Sequence, residues 1–189
     1  MQTILPSEFK RGTALMLDGA PHVIEHCQSS GAAQAKPKMH ARLRNLKTGR
    51  LVELLFADNE RVSAADLETR PVQFSYHQGN EFVFLDAETF DELDMTAELV
   101  GERRWFLKEN EEYKAMFLEG KLLDIVLPDH VALKVIETAT PQKGGSQAAY
   151  KTAKLEGGLE IMVPLFIGSD ETVRVDTRER KYLGKENVG

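Results

Sequence analysis

Short segments of alternating apolar and polar residues constrain the fold of this 189-residue chain more than any other feature of its sequence. In residues 39–44 the alternation places His40, Arg42 and Arg44 on one face of a strand and the apolar residues on the other. Similar segments recur about every ten residues, separated by turn-forming Gly, Pro, Asn and Asp, which is typical of small β-barrels. The pattern predicts an all-β protein with a helix only around residues 97–106, where Gly101 weakens the helical spacing.

Charged residues divide the chain into three segments. Residues 1–65 carry nine Lys and Arg against six Asp and Glu, residues 66–128 carry six against fifteen, and residues 129–189 carry nine of each. Pro71 and Pro128 lie near the two boundaries, where short linkers are expected. We therefore predict three small β-domains, named here the first, second and third modules. Because modules of this size bury little core alone, they should pack on one another.

The first module contains a long stretch without carboxylates. No Asp or Glu occurs from residue 26 to residue 52, whereas six Lys and Arg do, although the whole chain has a net charge of −6. Within this stretch, residues 28–38 are small and polar and lie between two predicted strands, which indicates a projecting hairpin loop. Two interpretations of the cations stay open, a solvated basic face and a contact surface for phosphate.

The sequence lacks the usual motifs of catalytic and cofactor sites. It contains no G-x-x-x-x-G-K-[ST], no G-x-G-x-x-G and no G-x-S-x-G. His22 and His26 lie around a predicted strand end rather than on one helix face, so they do not indicate a metal site. We therefore predict no enzymatic activity, no metal and no cofactor. No apolar run approaches the roughly 18 residues that span a bilayer, and no secretory signal is visible, so we expect a cytoplasmic protein without membrane contact.

Motifs along essentially the whole chain resemble those of the elongation factor P family, the bacterial relatives of eukaryotic initiation factor five A. The matching segments, in order, are Ser7-Glu8-Phe9-Lys10-Arg11-Gly12, Met16-Leu17-Asp18-Gly19-Ala20-Pro21, Leu46-Lys47-Thr48-Gly49-Arg50, residues 79–90, Val163-Pro164-Leu165-Phe166 and Val175-Asp176-Thr177-Arg178. The last two are the most specific. Their order and compatible spacing carry the resemblance.

The resemblance implies an SH3-like, KOW-like barrel followed by two OB-folds, in an L shape that mimics tRNA. It implies a monomeric translation elongation factor that binds the ribosome between the peptidyl-tRNA and exit sites and relieves stalling at consecutive prolines. Such a factor contributes positioning and leaves bond formation to the ribosome. The residues implied to contact tRNA or ribosome are the loop Ser30, Gly31, Ala32, Ala33, Gln34, Ala35, Lys36, Pro37 and Lys38, the phosphate contacts Arg42, Arg44, Lys47 and Arg50, and the third-module loop Lys143, Gly144 and Gly145.

Two loops depart from the family pattern. Gln34 stands where many members carry a modified lysine, and Ala32 stands where others carry a modified arginine, so neither modification is carried over. Three interpretations stay open: the loop acts unmodified, Lys36 or Lys38 supplies the functional cation, or the factor serves another purpose. The third-module loop lacks the acidic residue associated with reading the exit-site codon, which leaves contact with mRNA open. The elongation factor P-like paralogues and an RNA-binding OB protein acting off the ribosome are the alternatives.

Overall fold

The computed structural model describes residues 2–31, 37–140 and 150–186. These residues form sixteen strands, one short α-helix and three 3-10 helices. The strands form four antiparallel sheets, and each sheet lies within one module. Among the described residues, no helix combines the length and apolarity that crossing a bilayer requires.

The first module contains a four-stranded sheet, in the order β2-β3-β4-β5, and a small sheet of β1 and β6. Its strands are β1 (Thr3–Ile4), β2 (Ala14–Leu17), β3 (Ala20–Ser30), β4 (Lys38–Asn45), β5 (Leu51–Ala57) and β6 (Val62–Ser63), with a 3-10 helix at Pro6–Glu8. The alternation predicted for β4 is confirmed, because Ala41 and Leu43 are buried while His40 and Arg42 are exposed. The register of β3 against β4 shifts after Ile24, and such a bulge bends a sheet towards a barrel.

The second module is a five-stranded sheet in the order β11-β10-β7-β8-β9. Its strands are β7 (Glu68–Gln78), β8 (Glu81–Asp86), β9 (Glu92–Thr96), β10 (Glu112–Leu118) and β11 (Lys121–Val126). Between β9 and β10 the predicted helical segment is present in two pieces, α1 (Ala97–Val100) and a 3-10 helix (Gly101–Phe106). The α-helix ends at Gly101 because that residue takes a φ of +56°, which glycine adopts without steric cost.

The third module repeats this architecture with the strand order β14-β13-β12-β15-β16. Its strands are β12 (His130–Thr138), β13 (Tyr150–Leu155), β14 (Glu160–Pro164), β15 (Thr172–Asp176) and β16 (Tyr182–Lys185), with a 3-10 helix at Glu156–Gly158. Along β15 the apolar Val173 and Val175 are fully buried and Arg174 between them is exposed. The period of two therefore holds in this module as well.

The last residues of the 3-10 helix in the second module pack against the third module. Phe106 is buried in the apolar core of the third module, and Trp105 packs beside it. A Cβ atom on Gly157 would lie 2.8 Å from the backbone oxygen of Trp105, so this close approach requires glycine. The two modules thus share packed residues.

Candidate nucleic-acid interface

Exposed polar residues of β3 and β4 form one continuous surface in the first module. We name this surface the cationic face. It consists of three residues of β4 and the residues of β3 that pair with them, namely Lys38 with Ser30, His40 with Gln28, and Arg42 with His26. All six are exposed. Directly paired residues of antiparallel strands project to the same side of the sheet. The face therefore presents two permanent cations and two imidazoles together.

The two cations of the cationic face, Lys38 and Arg42, are not engaged in ion pairs within the described part of the chain. Across β4, the partners of Lys38, His40 and Arg42 on β5 are Ala57, Leu55 and Glu53. Neither Lys38 nor Arg42 forms an ion pair with any residue that the structure describes. Although Glu53 is the cross-strand partner of Arg42, it forms no ion pair with it. Exposed guanidinium and ammonium groups without an ion-pair partner, on a rigid sheet, suit contacts with phosphate oxygens.

The turn between β4 and β5 adds two further cations. The side-chain oxygen Oδ1 of Asn45 accepts hydrogen bonds from the backbone N–H groups of Lys47 (2.8 Å) and Thr48 (3.1 Å), which holds the turn in shape. The ammonium group of Lys47 donates to the backbone oxygen of Gly19 at 3.1 Å. Lys47 and Arg50 are both exposed, and, like Lys38 and Arg42, they make no ion pair within the described residues.

Arg44 occupies a different environment from the other predicted phosphate contacts. Its side chain is only 16% exposed. Its Nε donates to Glu25 Oε1 at 2.6 Å, and its Nη2 donates to Asp124 Oδ2 of the second module at 2.8 Å. Because two carboxylates already engage the guanidinium, Arg44 joins the first module to the second, and we leave it out of the interface.

Asp124 is the centre of this junction, and sequence reasoning missed it. Its side chain is 3% exposed and also accepts a hydrogen bond from Arg103. Burial, with a smaller contribution from the nearby Arg44 charge, lowers the pKa of Arg103 to about 9, which still leaves it protonated at neutral pH. The available signal was a single carboxylate among apolar residues in Leu122-Leu123-Asp124-Ile125-Val126, since a buried charge requires a partner.

An apolar cluster surrounds the same junction. Val23 and Leu46 of the first module pack against Leu123 of the second. Val23 is paired with Arg44 across the sheet, and Leu123 directly precedes Asp124, so this packing lies beside the ion pairs. The orientation of the cationic face relative to the second module is therefore held by both packing and charge.

A cleft of about 710 Å³ extends from this junction to the third module. Arg42 lines it from the first module, and Arg178 and Arg180 line it from the third. The two third-module arginines are engaged by carboxylates, Arg178 by Asp129 at 2.5 Å and Arg180 by Glu102. Arg11 also lines the cleft, 4.0 Å from a carboxylate oxygen of Glu25. Arg42 makes no ion pair with any described residue and is therefore available to a ligand in this cleft.

The predicted loops lie largely outside the described residues. Strands β3 and β4 stay paired as far as Ser30 and Lys38, and the hydroxyl of Ser30 donates to the backbone oxygen of Lys38 at 3.4 Å. The prediction of a loop over 28–38 was therefore wrong at its ends, because residues 28–30 and Lys38 belong to the paired strands. The residues outside the described ranges are Ala32, Ala33, Gln34, Ala35 and Lys36 of the first loop and Lys143, Gly144 and Gly145 of the third-module loop. Within the described part of the chain, no group of three or more His, Cys, Asp or Glu is placed to hold a metal ion.

Three domain families match the chain in the order of its modules. Residues 6–62 match the elongation factor P (EF-P) KOW-like domain, residues 67–125 match the elongation factor P (EF-P) OB domain, and residues 131–185 match the elongation factor P C-terminal domain. Three domains of these families in this order are those of a translation elongation factor.

Full-length relatives identify the family. The chain is 35% identical over 181 residues to the elongation factor P of Nitratidesulfovibrio vulgaris (strain DP4), covering 95% of this chain and 98% of that relative. It is 37% identical over 184 residues to that of Synechococcus elongatus, covering 97% and 100%. Among solved structures, eukaryotic translation initiation factor 5A from Methanococcus jannaschii is 17% identical with a TM-score of 0.48, covering 66% of this chain and 92% of that one. The chain belongs to the elongation factor P family.

Proposed function

We propose that this chain binds the ribosome between the peptidyl-tRNA and exit sites and stimulates peptide-bond formation, relieving stalling at consecutive prolines. Membership of the family supports a role in translation elongation. The observation that carries the finer proposal is the exposed cationic face at the paired ends of β3 and β4. In this role the protein acts in the cytoplasm as a monomer, without a cofactor.

The proposed mechanism is positioning. Proline is a constrained secondary amine, and peptidyl-prolyl-tRNA presents a geometry poorly suited to attack. A protein that supports the acceptor end of this tRNA reduces the entropy lost in reaching a near-attack arrangement, and the ribosome performs the bond chemistry. The factor then needs cationic contacts and a loop that projects from a rigid sheet, and it needs no nucleophile.

The charges set the expected strength and orientation of binding. If Lys38, Arg42, Lys47 and Arg50 each neutralise one phosphate, counterion release predicts that affinity falls roughly 50- to 150-fold between 50 and 200 mM salt. The second module carries fifteen Asp and Glu against six Lys and Arg and repels phosphate. The molecule is therefore oriented with its first module towards RNA.

A charge-reversal experiment tests the proposal. The variant carries Lys38→Glu and Arg42→Glu, and the control carries Lys114→Glu and Lys121→Glu, which change the net charge equally at exposed sites of the second module. We expect the first variant to lose salt-sensitive co-sedimentation with 70S ribosomes and to lose stimulation of a three-proline peptide in reconstituted translation. The control should retain both. Equal behaviour of the two variants would contradict the proposal, and binding to isolated RNA with no preference for ribosomes would indicate a function away from the ribosome.

A mass measurement and two variants separate the three interpretations of the first loop. The mass of the protein purified from its native host shows whether Lys36 or Lys38 is modified. Deletion of residues 30–38 should abolish stimulation of proline-rich synthesis if the loop acts at the peptidyl-transferase centre. If Gln34→Ala leaves that synthesis unchanged, Gln34 is not the working residue of the loop.

A further inference from the structure

Each of the three modules contains the same six-residue turn. In each turn the side chain of the first residue accepts hydrogen bonds from the third and fourth backbone N–H groups, and its backbone oxygen accepts one from the fifth. The fifth residue has a positive φ in all three. These turns, named here turn 1, turn 2 and turn 3, are residues 45–50, 86–91 and 176–181.

Turns 1 and 3 both lie against the helical segment of the second module. In turn 1 the fifth residue is Gly49, and a Cβ atom there would be 3.1 Å from the backbone oxygen of Glu98. In turn 3 the fifth residue is Arg180, which donates to the carboxylate of Glu102. In two of three modules, therefore, the fifth position of the turn is a point of contact with another module.

In turn 2 the fifth residue is Phe90, and it is 72% exposed. Its φ is +61°, a conformation that is unfavourable for a bulky residue and natural for glycine. A phenylalanine at this position thus exposes a large apolar ring and strains the backbone, and neither feature benefits the isolated chain. Both are explained if Phe90 is buried in a complex, where aromatic anchors contribute most of the binding energy.

The charges around Phe90 define the partner. Turn 1 carries Lys47 and Arg50, whereas the corresponding residues of turn 2 are Glu88 and Asp91. Glu92 follows at the start of β9 and is also exposed. A carboxylate rim repels nucleic acid and attracts Lys and Arg. We propose that turn 2 is a docking site for a basic protein with an apolar socket that receives Phe90. We take this partner to be a protein of the ribosome, so the proposal rests on the proposed function.

Substitution of Phe90 tests the docking without disturbing the fold. Phe90→Gly removes the ring and relieves the positive φ, and Gly49 in turn 1 shows that this turn accommodates glycine. We expect a melting temperature no lower than that of the parent but affinity for 70S ribosomes reduced about tenfold or more. Phe90→Tyr, which keeps the aromatic ring, should retain near-parental affinity. Unchanged affinity of Phe90→Gly would overturn the proposal.

Photo-crosslinking identifies the chemistry of the partner. A benzophenone amino acid at position 90 should crosslink to a ribosomal protein at a segment rich in Lys and Arg, and Glu88→Gln with Glu92→Gln should weaken the crosslink. The control places the same probe at Gln78, an exposed residue at the end of β7 that pairs with Glu81 at the start of β8, far along the hairpin from turn 2. This probe should yield no such product.

The outcomes separate this inference from the proposed function. Co-sedimentation with ribosomes but no crosslink at position 90, or a crosslink to ribosomal RNA, would overturn the docking site and leave the proposed function standing. Failure of the parent protein to bind ribosomes at all would overturn both.

Discussion

Substitution of Asp124 by Asn tests whether the junction between the first and second modules depends on a buried charge. Asp124 is nearly inaccessible to solvent and accepts hydrogen bonds from two guanidinium groups, those of Arg44 and Arg103. Asn has the same shape but no charge, and its NH2 group cannot accept the hydrogen bond that Oδ2 of Asp124 accepts from Nη2 of Arg44 at 2.8 Å. The substitution therefore leaves two cations in a poorly solvated site with less compensation.

The magnitude follows from what each arginine retains. Loss of one partner from a buried ion pair costs about 3–5 kcal/mol. Arg44 keeps its hydrogen bond to Glu25, and Arg103 keeps the backbone oxygen of Val100 at 3.0 Å. The cost should thus lie near the low end, about 3 kcal/mol. In a chain of this size that corresponds to a fall in melting temperature of roughly 6–12 °C.

Differential scanning calorimetry and urea unfolding measure the effect. The control is Asp94→Asn, since Asp94 is exposed on the second module and its substitution should change stability by less than about 0.5 kcal/mol. A double-mutant cycle of Arg44→Ala and Asp124→Ala should show a coupling of more than about 1 kcal/mol, because the two side chains are in direct contact. A cost for Asp124→Asn below 1 kcal/mol, with additive single substitutions, would show that the junction is effectively solvated and that the reasoning is wrong.

Three further predictions concern packing and pH. Gly157→Ala should lower the melting temperature more than Gly12→Ala. Both glycines have a φ of +84°, but the added Cβ contacts the backbone of Trp105 only at position 157. Equal decreases in melting temperature would contradict this packing. Phe106→Ala should lower the free energy of unfolding of the third module by about 3–5 kcal/mol in urea unfolding, because this residue lies in the core of that module although it precedes it in sequence. A loss of stability confined to the second module would contradict this prediction. Hydrogen bonds from two backbone N–H groups lower the pKa of Asp176, so it contributes stability above about pH 4 that is lost as pH falls through the lowered pKa. Asp176→Asn keeps a side-chain oxygen that can accept these hydrogen bonds but removes the titrating carboxyl group. The free energy of unfolding should therefore depend less steeply on pH between pH 5 and 2. An unchanged dependence would refute the assignment of this pH effect to Asp176.

Sequence patterns predicted the local structure well. Strand β4 was predicted from the alternation of 39–44, and its outward residues could be named, because successive side chains of a strand point to opposite faces. The helical segment was predicted at residues 97–106, including the weakening at Gly101, because helix termination there is a backbone property of one residue. The outward direction of His40 and Arg42 was predicted from the same alternation, whereas Lys38 was predicted to lie in the loop and is part of β4.

Only the tertiary structure shows which groups from other strands and modules surround a given side chain. Arg42 and Arg44 share a face of β4 and are chemically identical, yet Arg42 is exposed and Arg44 is only 16% exposed, at a junction between modules. The difference arises from Asp124, which lies 80 residues away along the chain. Nothing in the spacing of residues 39–44 contains that information.

The chain by itself thus determined its β-architecture, the order and charge of its modules and the face on which its cations lie, because backbone periodicity and turn geometry act over a few residues. The tertiary structure decided which cations stay available, that Phe106 belongs to the core of another module, and that one of three equivalent turns projects an unpaired aromatic ring. These properties depend on which surfaces meet when separate modules pack, and that is set by shape and charge complementarity between residues distant in sequence.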